Sequence, residues 1–266
     1  MAKKRPKGWL INPAQVDKWL DQAAEQLIEQ DYQGAAQTAR RILRYVPKGS
    51  DAYTDAHLHL GNALGMLEAF EAAYEAFSQT LAARPDDAIA LYDRALTART
   101  LLHTGRAVRD LERAVALEDN PDLRQRYQDE LDFTCEVVQE QIAERGPDFT
   151  LEQLIQQQDT FREELALMQA NAWEEAEVAF RQVIDMGDVL PQPWANIAGC
   201  MIMQGRYDEA EDALRRALEI DPEYDLARQN LIMLPVIRER GVEEWRIRSP
   251  HAGHEVKRGI TFVQED

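Results

Sequence analysis

With 266 residues and a formal net charge of −18, the chain is long enough to bury a substantial core and acidic enough to repel phosphate backbones, which argues against nucleic acid as a main partner. It holds 13 glycines and 45% apolar residues and is rich in Ala, Leu, Glu, Gln and Arg, so an all-α fold is expected. Two cysteines, Cys135 and Cys200, are too few for a disulfide framework and read as buried free thiols, and no apolar run approaches the length of a transmembrane helix.

Residues 1–12 form a basic arm, in which Lys3, Lys4, Arg5 and Lys7 precede any acid. The start resembles the charged region of a signal peptide but lacks the apolar stretch that should follow, so a cytoplasmic protein is expected. The acidic remainder favours a basic partner through long-range attraction.

Similar units then recur along the chain. Residues 16–49 carry Trp19, Ala23, Tyr32, Ala35 and Pro47, with Gln22 and Gln26 where the other units are apolar. Residues 54–87 carry Leu60, Gly61, Leu64, Phe70, Ala73, Phe77 and Pro85. Residues 88–120 carry Leu91, Ala95, Ala98, Ala107, Leu111 and Ala114, with an irregular turn at His103–Gly105. These units make up an N-terminal array, 13–120.

Residues 121–156 break the pattern as a linker helix or degenerate repeat. Leu123, Tyr127, Leu131, Thr134 and Val138 fall on one helical stripe that ends near Gly146-Pro147. Thr150-x-x-Gln153 and Thr160-x-x-Glu163 both have capping-box spacing. Use of the first alone gives one long helix over 150–170, the favoured reading; use of both gives two helices. Residues 157–190 carry Leu167, Trp173, Ala176, Phe180 and Val183, with Glu163 and Glu164 at positions suited to aliphatic and small residues.

Pro191–Tyr224 is the clearest unit. Trp194, Ile197, Ala198 and Met201 form one stripe, Gly205 suits a helix end, and Ala210, Leu214, Ala217 and Pro222 follow. Leu226–Arg238 is expected to cap the last repeat, completing a C-terminal array, 157–239. In the tail, 240–266, Arg258–Val263 is β-prone but isolated, and a lone strand is not stable. The alanines that open the second helices are Ala35, Ala73, Ala107, Ala176 and Ala210. The step from Ala73 to Ala107 equals the step from Ala176 to Ala210, and that shared step is the register of the repeat. The step from Ala35 to Ala73 is longer by four positions, which places the extra residues near Pro47–Asp51. The step from Ala107 to Ala176 is close to twice the register and leaves room for about one non-standard repeat. An odd number of inserted helices reverses the up-down sense, which would make the two arrays distinct packing units.

The Pro191–Tyr224 pattern resembles the tetratricopeptide repeat. The resemblance implies an α-solenoid of about five helix-turn-helix repeats, with an inserted linker helix and a C-terminal capping helix. It also implies a concave groove lined by first helices, here by Leu58, Asn62, Met66, Tyr92, Arg99, Phe161, Leu165, Met168, Asn196, Ile202 and Met203, with Leu58 and Phe161 foremost. The carboxylate clamp of chaperone-binding relatives is not matched. Leu58 stands at a clamp lysine position, Asp93 replaces an asparagine, and Ile89 supplies no basic group, although Asn62 agrees.

No motif points to catalysis. Gly61–Gly65 lacks the Lys-Ser/Thr of a phosphate loop. His57 and His59 are two apart on a helix and diverge, His103 lies in a turn, and His251-x2-His254-Glu255 is a weak metal pattern. The pairs Glu174-Glu175 and Glu243-Glu244 read as solvated faces. The expectation is therefore a non-enzymatic scaffold or adaptor, without cofactor or metal. It would bind an apolar peptide or amphipathic helix, basic charge being favoured. The alternatives are a self-assembling homo-oligomer and a non-catalytic regulatory partner of a separate enzyme or DNA-binding chain.

Overall fold

The structure, a computed structural model, describes residues 11–242; within this range the side chains of Arg162, Glu164, Leu165, Ala166 and Gln169 are not described. The described residues contain helices and no strand. In chain order the helices are α1 (Pro13–Ile28), α2 (Tyr32–Leu43), α3 (Asp51–Met66), α4 (Phe70–Ala83), α5 (Ala88–Thr100), α6 (Thr104–Leu117), α7 (Pro121–Arg145), α8 (Leu151–Gln169), α9 (Trp173–Met186), α10 (Pro191–Met203), α11 (Tyr207–Ile220) and α12 (Asp225–Arg240).

The chain divides into two compact units, 1–140 and 141–266. In the first, consecutive helices pair as α1/α2, α3/α4 and α5/α6, and α1, α3 and α5 also touch in sequence. In the second, α8 pairs with α9 and α10 with α11, and α12 packs on α11. This is the all-α repeat architecture that the periodicity predicts.

The alanine register has a physical origin. Ala35, Ala73, Ala107, Ala176 and Ala210 are all 0% exposed, because each lies where the two helices of a hairpin approach too closely for a larger side chain. A second register runs five positions ahead of it. Gln30, Glu68, Leu102, Asn171 and Gly205 all have positive φ, from 59° to 77°, and each sits in the turn between the helices of one hairpin. The irregular turn expected at His103–Gly105 is thus an ordinary one: Leu102 takes the left-handed position, and Gly105 is buried in the first turn of α6. Of the five turns, only Gly205 uses the residue for which this conformation costs least.

Side-chain caps start several helices. Asn12 accepts from Ala14 N, Asp31 from Gly34 N, Ser50 from Tyr53 N and Asp87 from Ala90 N. The extra residues of the long Ala35–Ala73 step lie in the α2–α3 loop, where Ser50 Oγ donates to Pro47 O at 2.8 Å and Gly49 has φ 77°. At α8 the Thr150 capping box forms, with Thr150 N donating to Gln153 Oε1 (2.8 Å) and Gln153 N to Thr150 Oγ1 (3.3 Å). Thr160 instead donates to Gln156 O within the helix, so α8 is the single long helix.

The cores are made by hairpin stacking. In unit 1, Phe77 packs over Gly61, and Leu91 and Leu111 are buried between α5 and α6. Arg94 forms a bidentate pair with Asp110 (2.7 Å each) and also reaches Ser78 (3.3 Å), tying α4, α5 and α6 together. In unit 2, Phe180, Ile197, Ile202 and Leu214 are fully buried, each contributing roughly 1.5–3 kcal/mol on burial. Leu226, Ala227, Leu234 and Ile237 of α12 close this core. Cys200 is buried as expected, but Cys135 is half-buried on α7; the two do not form a disulfide.

Candidate interaction face

Leu58, Asn62 and Met66 are spaced four apart on α3 and share one face. One register step earlier, by the Ala35–Ala73 spacing, stand Leu20, Ala24 and Ile28 of α1. One register step later, by the Ala73–Ala107 spacing, stand Tyr92, Leu96 and Thr100 of α5. Because α1, α3 and α5 adjoin in that order, these residues form three rows across the first helices of unit 1. Leu58 is half-buried and packs against the cores on both sides of α3. Asn62 is half-buried. Met66 is 59% exposed and Ile28 82% exposed. Ile28 went unnoticed in the sequence because Gln22 and Gln26 made the first unit look irregular; the register step that links it to Met66 was the available signal.

At α5 the predicted residues meet α7: Tyr92 is buried, and Arg99 is half-buried. Tyr127 of α7 stacks on Tyr92 with ring centroids 4.2 Å apart and planes at 20°. Arg126 Nε donates to Tyr92 Oη at 3.0 Å. Arg99 pairs with Glu130 at 2.6 Å and lies over the Phe133 ring at 5.1 Å. These two residues hold the chain's own next helix, which enters about one register step after α5 as an unpaired first helix. Of its predicted stripe, Tyr127, Thr134 and Val138 are buried. The neighbouring Asp93 carboxyl is pushed up to about 6 by burial, which the nearby Arg126 only partly offsets. Ile89 is 49% exposed.

In unit 2 the predicted residues are mostly interior. Met168 and Ile202 are each 1% exposed core residues, a correction to their groove placement. α10 has no charged residue and is buried from Ala195 through Ile202, so side chains meant for a groove serve packing. Asn196 is also 1% exposed. Neither it nor Asn230, its counterpart one register step on in α12, has a hydrogen-bond partner for its carboxamide. Phe161 is half-buried, edge-on to Phe180 at 5.8 Å, and Met203 is half-buried. The Leu165 side chain lies outside those described.

His57 meets Tyr53 edge-on at 4.5 Å, and burial lowers the pKa of both His57 and His59. Among the described residues no three His, Cys, Asp or Glu side chains converge on a metal position, and no helix is long and apolar enough to cross a membrane. The His251, His254 and Glu255 pattern and the Arg258–Val263 stretch lie outside the described residues, as does the Glu243-Glu244 pair.

A stack of helical hairpins of this kind defines a class by fold: an all-α helical-repeat protein. Residues 167–232 match the family described as tetratricopeptide repeat. No curated relative matches. Among solved structures, the chain is similar to MamA at 15% identity, covering 79% of this chain and 93% of that one, with a TM-score of 0.36. A second MamA structure gives 16% identity, 76% and 96% coverage, and a TM-score of 0.39. YrrB, described as a TPR protein with an unusual peptide-binding site, gives 16%, 79% and 89%, and 0.36. Likenesses this weak do not bear on function.

Proposed function

We propose that the chain is a non-catalytic protein-interaction scaffold, and that the α1–α3 face of unit 1 receives an apolar segment of its partner. The observation that carries this reading is the pair Ile28 and Met66. They occupy equivalent positions on adjacent first helices, one register step apart, and are 82% and 59% exposed. Neither side chain packs into the core of unit 1, and paired exposed apolar groups of this kind mark an interaction site. Methionine adapts to varied apolar shapes. Leu58 and Asn62 extend the row inward, so an amphipathic helix can anchor at the Ile28/Met66 edge and present polar groups to Asn62. The closure of α5 by α7 limits the site to these two helices.

The test is affinity capture from native cell extract with the wild-type chain and with the double variant Ile28→Glu/Met66→Glu. Both positions are exposed, so the thermal midpoint should be unchanged. The reading expects a protein retained by wild type and lost with the double variant. Equal retention by both would overturn it.

A further inference from the structure

We propose that the outer face of α2 is a second binding surface, for an acidic polypeptide segment. Arg40, Arg41, Arg44 and Lys48 follow one another along the C-terminal half of α2 and the start of the next loop, and Lys18 precedes Trp19 on α1. All five are exposed. None makes an ion pair or a side-chain hydrogen bond among the described residues, although Arg41 lies over the Trp19 ring at 5.2 Å. Elsewhere in the same unit the arginines are engaged: Arg84 with Asp55, Arg94 with Asp110, Arg99 with Glu130 and Arg113 with Asp86. In a chain of net charge −18, an uncompensated row of cations stands out against the general pattern.

Two features go beyond helix stability. Basic residues in the last turn of α2 complement the helix dipole, which accounts for Arg40 and Arg41. Lys48 lies in the loop beyond the cap, outside the last turn where that effect acts. Arg40 and Arg44 are four apart, about 6 Å along the helix, and Lys48 follows four positions later in the loop. The aromatic pair Trp19–Tyr45, with ring centroids 5.9 Å apart, fixes the Arg41 guanidinium from below, and Tyr45 is itself 39% exposed. A planar guanidinium held on an aromatic face keeps its donors free for a carboxylate.

Charge chooses the ligand. A nucleic acid or an anionic membrane is extended, and would bring its charge up to the acidic remainder of the chain as well as to the patch. A short acidic segment meets the patch alone. Carboxylates on one face of such a segment match the four-residue spacing of the cations.

The experiment uses the full chain and a fluorescein-labelled octaglutamate peptide, read by anisotropy at low and physiological salt. Arg44→Glu is compared with Arg240→Glu, an exposed arginine on α12 that changes the net charge equally. The proposal expects binding that weakens with salt and falls by about tenfold or more in Arg44→Glu but not in Arg240→Glu. An absence of peptide binding overturns the proposal, as does an equal loss in both variants. A single-stranded oligonucleotide or phosphatidylserine vesicle that binds more tightly than the peptide, and loses binding in Arg44→Glu, overturns the choice of ligand. Unchanged circular dichroism melting in both variants keeps the comparison interpretable.

Discussion

Three residues show how the repeat rules act locally. At Gly61 two effects compete. Replacing a helical glycine with alanine gains about 1 kcal/mol of helix propensity. An added Cβ would stand 2.6 Å from the Phe77 ring, and Phe77 is 2% exposed, so the ring has nowhere to retreat. Overpacking costs about 1–3 kcal/mol, and the clash wins: Gly61→Ala should lower the thermal midpoint, whereas a raised midpoint would refute this packing. At Glu68 the balance is reversed. Its φ of 59° is strained for any residue with a Cβ, and its side chain is exposed. Glu68→Gly should stabilise the chain by about 0.5–1 kcal/mol in chemical denaturation, the relieved strain outweighing the added chain entropy of glycine. At Asp93 burial raises the carboxyl to about 6 from its ordinary 3.8. The folded state therefore bears a cost while Asp93 is ionised, and that cost is released as pH falls through about 6. Asp93→Asn should be more stable than wild type at pH 8, with an advantage that shrinks as pH falls below about 6 and vanishes only near about pH 3, below the ordinary carboxylate value of 3.8. Depressed His57 and His59 affect both proteins alike, so the difference between them isolates Asp93. An advantage that is the same at both pH values would contradict the assignment.

At the scale of elements, the hairpins were legible in the sequence because their constraints are local. Buried alanines recur at a fixed step from Ala73 to Ala107 and again from Ala176 to Ala210, and the left-handed turn residues repeat the same intervals. α7 was legible as a helix, from its Tyr127, Thr134 and Val138 stripe, but its docking was not. The Tyr92–Tyr127 stack and the Arg99–Glu130 pair join residues more than thirty apart, and no periodicity announces such contacts. They turned two expected groove residues into a seat for α7. If that seat is what orders α7, Tyr127→Ala should speed amide hydrogen exchange in residues 121–140 while leaving α1 to α4 protected, since losing a buried aromatic costs about 3–5 kcal/mol. Exchange that rises equally across unit 1 would show that α7 is integral to the whole array. α10 taught the same lesson differently. The repeat resemblance implies a groove lining for its residues, yet its lack of charge reflects burial on nearly every side, which puts Asn196 and Ile202 inside.

At the scale of the whole molecule, a strongly acidic chain carries one apolar row on α1 and α3 and one uncompensated basic strip on α2. The apolar row was half legible: Leu58, Asn62 and Met66 came from the repeat pattern, while Ile28 required the longer first register step to be applied to a unit with glutamines at apolar positions. The basic strip was invisible, because ion pairing is a property of neighbours in space and the sequence shows only that arginines and acids are both plentiful. The most direct measurement of the central claim is site-specific photo-crosslinking in the native cell, with p-benzoylphenylalanine placed at Met66 and, as a control, at Val178, which is 58% exposed on α9. The interaction-face account predicts a discrete crosslinked protein from position 66 and none from position 178. The same crosslinks from both positions, or none from position 66, would contradict it.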